Sequence, residues 1–273
     1  MKIPISAILW LLLLSTGAAS AQQKDPAAYL TNRLPNDSRP DSPASRTYRM
    51  TTEYFDHDLD CNLLAKRRLT GTVTYCGDSA RWKNVRYAES KEPLEALPPA
   101  EKLDFMQDFR YRPDQKILAP AFFSERLPQA DPFIMNMLWD ALAFETLAHG
   151  NWDSLRLNKP FRAGNIDSEL EIAIGTFENR NATITWIGIT EIEGKRCAVL
   201  KYSLMNNPLR VAYENVSMLG RSHYWGEIYV SLPDRQIEEA TLTEDILTVT
   251  QAKGREETQT GYTTRSIRLK RIE

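Results

Sequence analysis

The feature that most constrains this chain is a period-two alternation of apolar and polar side chains across most of residues 168–272. Leu170, Ile172 and Ile174 alternate with Glu169 and Glu171, and Ala198, Leu200, Tyr202 and Leu204 alternate with Val199, Lys201 and Ser203. Successive side chains of a strand point to opposite faces, so this pattern gives each strand one dry and one wet side. The interruptions are brief: Asn179-Arg180-Asn181, Glu193-Gly194-Lys195, Asn206-Asn207-Pro208 and Pro233-Asp234-Arg235. Gly194 supplies the positive φ of a tight hairpin. A parallel connection needs a crossover of about a dozen residues, and none of these is that long. Strands are therefore expected over 183–193, 196–205, 209–216, 224–232, 237–250 and 262–272, arranged as an antiparallel meander.

The N-terminal part carries the same signal. Tyr48, Met50, Thr52 and Tyr54 alternate with Arg49, Thr51 and Glu53, and Leu69, Gly71, Val73 and Tyr75 alternate with threonines. A hairpin about residues 59–67 and a third strand over 81–89 follow. The middle reads as helical. Residues 100–111 suit a short helix with Leu103, Phe105 (or Met106) and Phe109 inward. In 132–149, Asp131 is placed as N-cap, Pro132 as the first helical residue and Gly150 as the stop. The polar Asn136 and Asp140 share one narrow edge of an otherwise largely apolar cylinder, which predicts a helix covered on most sides. The expected fold class is α+β: a large antiparallel meander, as a curved sheet or incomplete barrel, with one long apolar helix and a short helix packed against it.

The first residues set the expected location. Lys2, the apolar run 7–14 and the small residues Ala19-Ser20-Ala21 follow one another as in a secretory signal peptide, 1–21, cleaved before Gln22. The run is shorter than the roughly 20 residues a membrane span needs, and no later run approaches that length. The expected organisation is a signal over 1–21, a flexible proline-containing leader over 22–46, and one β-rich domain over 47–273 with a helical insertion at about 100–150. The protein is expected to be secreted or periplasmic. With 34 basic and 36 acidic residues, the chain lacks the excess positive charge of a general nucleic-acid surface. Three cysteines are an odd number for an oxidising compartment. Cys61 and Cys76 are a candidate disulfide, although a simple hairpin would set Cys76 near Glu53 instead. Cys197 reads as a small buried hydrophobe.

No motif specifies a reaction. Asp56-His57-Asp58-Leu59-Asp60 offers alternating oxygen ligands, but Cys61 and Arg67 stand where a calcium loop needs Gly and Glu. Glu145 and His149 are four apart on the expected helix, and His223 has no nucleophile or acid at motif spacing. Glycine-rich nucleotide cradles and the Gly-x-Ser-x-Gly elbow are missing. No metal, cofactor or catalytic residue is thus assigned. Asn181-Ala182-Thr183 and Asn215-Val216-Ser217 match the glycosylation acceptor pattern. Arg265, Arg268, Lys270 and Arg271 read as an edge strand guarded by positive charge. Met135, Met137, Trp139 and Phe144 are the candidate lining of a deformable apolar cavity between helix and sheet.

The hairpin over 184–202 around Gly194, the segment 224–236 and the apolar helix together resemble the periplasmic lipoprotein-carrier type of incomplete β-barrel. In that fold the sheet wraps helices and holds acyl chains. The resemblance implies an exported, non-catalytic protein that binds an apolar ligand, a lipid or acyl chain, or a partner protein of the envelope. The alternatives are a secreted hydrolase whose carboxylates meet only in the fold, and a structural interaction module of the envelope.

Overall fold

The computed structural model describes Leu34 and residues 45–273, except 93–94, 114–116, 118, 165, 167, 173–174 and 214. The signal segment and nearly all of the leader lie outside the described residues. Leu34 is buried in the core.

In chain order the strands are β1 (Arg46–His57), β2 (Leu63–Cys76), β3 (Ser79–Ser90), β4 (Glu101–Lys102), β5 (Arg110–Tyr111), β6 (Phe161–Arg162), β7 (Ser168–Ile172), β8 (Gly175–Asn179), β9 (Thr183–Ile192), β10 (Lys195–Tyr213), β11 (Val216–Ser231), β12 (Ile237–Ala252) and β13 (Thr258–Arg271). Between β5 and β6 stand helices α1 (Pro120–Arg126) and α2 (Pro132–His149). The strands form one sheet in the order β4-β3-β2-β1-β13-β12-β11-β10-β8-β7, with β5 on β3, β9 on β10 and β6 on β9. The strand pairings are antiparallel. On the inner face lie Tyr48, Met50, Thr52 and Tyr54 of β1, Leu69, Val73 and Tyr75 of β2, and Ile228, Val230, Ala240, Leu242, Ile267 and Leu269 of the C-terminal strands, all buried.

Two local devices set the register. Glu193 (φ 48°) and Gly194 (φ 80°) both take positive φ, which a type I′ turn between β9 and β10 requires. Asn206-Asn207-Pro208, expected as a turn, instead lies within β10 as a bulge. Asn206 adopts φ 66°, and its N–H donates to His223 Nδ1 at 3.1 Å. The Asn207 side chain donates to the Leu204 carbonyl and accepts from the Arg180 N–H. With these groups satisfied, the strand continues. Pro208, which cannot donate to a ladder, lies in the gap between the end of β9 pairing at Ser203 and the start of β8 pairing at Leu209.

The α+β expectation is corrected. The architecture is predominantly a β-sheet, with α-helices of 7 and 18 residues, and a long apolar helix does not cover it. Asp131 caps α2 by accepting from the Ile134 N–H at 2.9 Å. However, of the narrow polar edge, Asp140 is turned inward and buried, while Phe133, Met135, Trp139 and Leu142 are only half-buried. The reason is Arg265 on β13, whose charge needs a buried partner. Among the described residues no helix is long and apolar enough to cross a membrane. The short helix expected over 100–111 is replaced by β4, a single 3-10 turn at Asp104–Met106 and β5, which pair back onto β3.

Two further corrections concern β1, β2 and β13. In the observed register Tyr75 faces Arg46 and Arg68 faces Glu53, so Cys76 ends the strand at the far side of the hairpin from the Cys61 turn. About thirteen residues of strand at roughly 3.3 Å each separate them, far beyond the roughly 7 Å Cα limit for a disulfide. All three cysteines are free. Strand β13 is also no edge, because it lies between β1 and β12. Its basic residues are matched by Asp140 and Glu244 (Arg265), Glu239 (Arg268), Glu193 (Lys270), and Asp234 and Glu238 (Arg271).

Candidate functional site

The sequence-derived candidates are dispersed. Met137 and Phe144 are fully buried in the core, while Met135 and Trp139 are partly buried against it. The Trp139 indole N–H donates to the Ile117 carbonyl at 2.9 Å. In the acidic loop, Asp56 accepts from Arg67 and from Thr263. Asp58 accepts from the backbone of Asp60 and Asn62 and from the Asn62 amide, so its oxygens tie the turn. Glu145 holds Arg46 at 2.9 Å and lies 3.6 Å from His149, joining α2 to the start of β1. His223 fixes the β10 bulge. Among the described residues no group of three or more His, Cys, Asp or Glu is placed to hold a metal.

Nothing in the local sequence pattern hints at a buried charge cluster in the middle of the sheet. Arg265 donates to both oxygens of Asp140, at 2.7 and 3.1 Å, and its Nε donates to Glu244 at 2.6 Å. Ser222 donates to the other Glu244 oxygen, and the guanidinium lies 5.7 Å from the Tyr54 ring centroid, within cation–π range. Arg265, Asp140, Glu244 and Ser222 are all buried. Burial pushes the Asp140 carboxyl up to about 7, with Arg265 opposing and Glu244 adding to the rise. Burial also opposes the Arg265 charge, but the two carboxylates more than offset it and hold the guanidinium protonated. Enclosed in this way, the cluster fastens α2 to the sheet and offers no surface to a ligand.

The accessible site lies beyond the bulge, where β10, β11 and β12 run past the core and both faces become more exposed. In the ladder, Arg210 faces Leu219, which faces Val249; Pro208 faces Arg221, which faces Leu247. These six residues alternate with inward-facing Leu209, Gly220 and Thr248, so they share the outer face. Leu219, Leu247 and Val249 are 63, 49 and 41% exposed, and a hollow of about 390 Å³ opens over this patch, with Arg180, Arg210 and Arg221 also in its lining. Arg180 is neutralised by Glu178 through two bonds of 2.6 Å. Both Glu178 oxygens are thereby taken, and Arg210 acts on that carboxylate only at longer range. Arg221 donates to the neutral Asn206 side chain at 2.7 Å. Among the described residues no carboxylate pairs directly with Arg210 or Arg221. Asp245, the next outward position on β12, accepts from the Tyr262 hydroxyl.

The sequence does hold a trace of this patch. In Ile246-Leu247-Thr248-Val249 apolar residues fall on both phases of the alternation, which places some of them on the wet face.

No protein-family profile matches the chain, and no curated protein is significantly similar to it. Among solved structures, one concerning lipid–protein interactions in lipovitellin is similar with a TM-score of 0.38 and 14% identity, covering 84% of this chain and 25% of that one. This chain thus spans about a quarter of the lipovitellin chain. A structure of botulinum neurotoxin type C, whose cell entry depends on interaction with two ganglioside molecules, gives a TM-score of 0.15 and 7% identity, covering 83% of this chain and 82% of that one. The binding domain of botulinum neurotoxin serotype C1 gives 0.13 and 9%, covering 83% of each chain. The chain is a large antiparallel β-sheet protein, and likenesses this loose carry nothing further.

Proposed function

We propose that the protein is a non-catalytic binder of an apolar ligand, an acyl chain, held in the outer-face hollow of β10–β12. The observation that carries this is the contiguous exposure of Leu219, Leu247 and Val249 on a concave surface. Apolar side chains scattered singly on a surface need no explanation, whereas neighbouring ones gathered in a hollow offer an apolar ligand a surface to bury. The volume falls within the range of about 300–1,000 Å³ common to small-molecule sites. The side chains that line the hollow are aliphatic or guanidinium, with no nucleophile or general base among them.

The test is a titration of the full chain with an uncharged apolar dye whose fluorescence rises on transfer from water. Replacing Leu219 and Val249 together by Gln should weaken dye binding at least tenfold. Because both side chains are exposed, stability should change by no more than about 0.5 kcal/mol per site. Dye binding that survives the double substitution unchanged would place the apolar site elsewhere.

A further inference from the structure

We propose that the ligand carries an anionic head group, that Arg210 and Arg221 recognise it, and that the occupant is a single-chain fatty acid. This inference rests on the acyl-chain reading of the same hollow. Arg210 stands directly across the ladder from Leu219, and Arg221 directly across from Leu247. Each arginine side chain therefore stands beside an exposed aliphatic one on the same face. Of the three arginines in the lining, Arg180 is directly paired with a carboxylate, that of Glu178. Arg221 is oriented by the neutral Asn206 amide, and neither it nor Arg210 has a direct carboxylate partner among the described residues.

Guanidinium groups present paired N–H donors that match a carboxylate edge on, which favours a planar anion over a cationic or neutral head. Asn206 fixes one arm of this arrangement, and its own conformation is fixed by His223 through the bulge. The bulge, Arg221 and the hollow are thus one assembled unit. The hollow's volume of about 390 Å³ lies at the small end for ligand sites. It suits one chain with a compact carboxylate better than a two-chain phospholipid or a bulky glycerophosphate head. Exposed aliphatic side chains beside two arginines without a direct carboxylate partner among the described residues are the complement of a fatty-acid anion, chain on the leucines and head on the arginines.

The test compares laurate, dodecanol, dodecyltrimethylammonium and a lysophosphatidate, each below its aggregation threshold, as displacers of the uncharged dye. Vesicles of phosphatidylglycerol form a separate arm. Laurate should displace the dye at least tenfold more effectively than dodecanol, and the cationic amphiphile should be the weakest. The advantage of laurate should shrink as salt is raised, because exposed charges are screened. Arg210→Gln, and Arg210→Gln combined with Arg221→Gln, should remove most of that advantage, read as the ratio of laurate to dodecanol displacement on the same variant. A denaturant melt coincident with the parent's shows that the variants are folded.

Laurate no better than dodecanol, with the dye still bound, would overturn the head-group assignment alone. Lysophosphatidate well ahead of laurate would overturn the fatty-acid occupant. Binding to vesicles but to none of the monomeric amphiphiles would replace a ligand hollow with a membrane-docking face. Failure of the dye itself to bind would overturn the underlying acyl-chain reading.

Discussion

Replacing Asp140 by Asn tests the account of the buried cluster, because simple salt-bridge reasoning and the charge balance predict opposite pH trends. Fully ionised, the cluster holds one guanidinium and two carboxylates, so it carries one surplus negative charge in a buried site. The folded-state Asp140 carboxyl lies at about 7, raised from 3.8. With the folded value above the unfolded one, the folded protein binds a proton that the unfolded chain has released. The resulting stability is complete below about pH 4 and is lost as pH rises to about 7. At about 1.4 kcal/mol per unit over roughly three units, the whole effect is on the order of 4 kcal/mol, of which roughly 3 kcal/mol falls between pH 5 and pH 8.

In Asp140→Asn the amide does not titrate, and the surplus charge is gone. At pH 5, where Asp140 is mostly neutral, the substitution should cost about 1–2 kcal/mol for a weakened hydrogen bond to Arg265. At pH 8 the variant should equal or exceed the parent, because Arg265 keeps Glu244. Urea melts of both proteins at the two pH values give the answer, and all other titrations cancel in the comparison. If Asp140 were simply a favourable buried ion-pair partner, its loss would cost about 3–5 kcal/mol at pH 8 and less in acid. A substitution that costs more at pH 8 than at pH 5 would refute the charge-balance argument.

Two further outcomes are expected. Gly226→Ala should destabilise by about 3 kcal/mol in a denaturant melt, because a Cβ there would lie 1.9 Å from the Thr241 carbonyl oxygen and 2.7 Å from the Tyr202 hydroxyl; a loss under about 0.5 kcal/mol would contradict that close approach. In a thiol titration of the native protein at pH 8, the exposed Cys61 and Cys76 should react promptly, while buried Cys197, whose thiol burial pushes up to about 11, should wait for denaturant; fewer than two prompt thiols would contradict the hairpin register.

The alternation in Tyr48–Tyr54 and Leu69–Tyr75 marks the inner face of β1 and β2 from sequence, because a period of two forces every second side chain to one side. Gly194 marks a real turn for the same kind of local reason. Asn206-Asn207-Pro208 has the composition of a turn and forms a bulge, since the deciding groups, His223 and Arg180, come from neighbouring strands. Asp140 resembles the wet edge of a helix because its partner lies 125 residues further along. Arg265 resembles edge-strand protection until β1 takes its place beside β13. The outer-face hollow is nearly invisible for a related reason: an exposed leucine acquires meaning only when other strands bring a second leucine and an arginine next to it.

The seam between β1 and β13 has a consequence for how the protein is made. The first long strand bonds to the last along ten paired positions, and Thr263 reaches back across 207 residues to Asp56. Pairings this distant in sequence carry the full entropy of closing the intervening loop and slow the folding of β-rich domains. During synthesis β1 can pair with β2, but its other edge has no partner until β13 has left the ribosome. The two wings of the sheet therefore join only after β13 has been made. Thr47 and Glu273 are bonded at 3.1 Å, so the seam draws together two segments that lie at opposite ends of the sheet's sequence and makes its closure the least local pairing of β1.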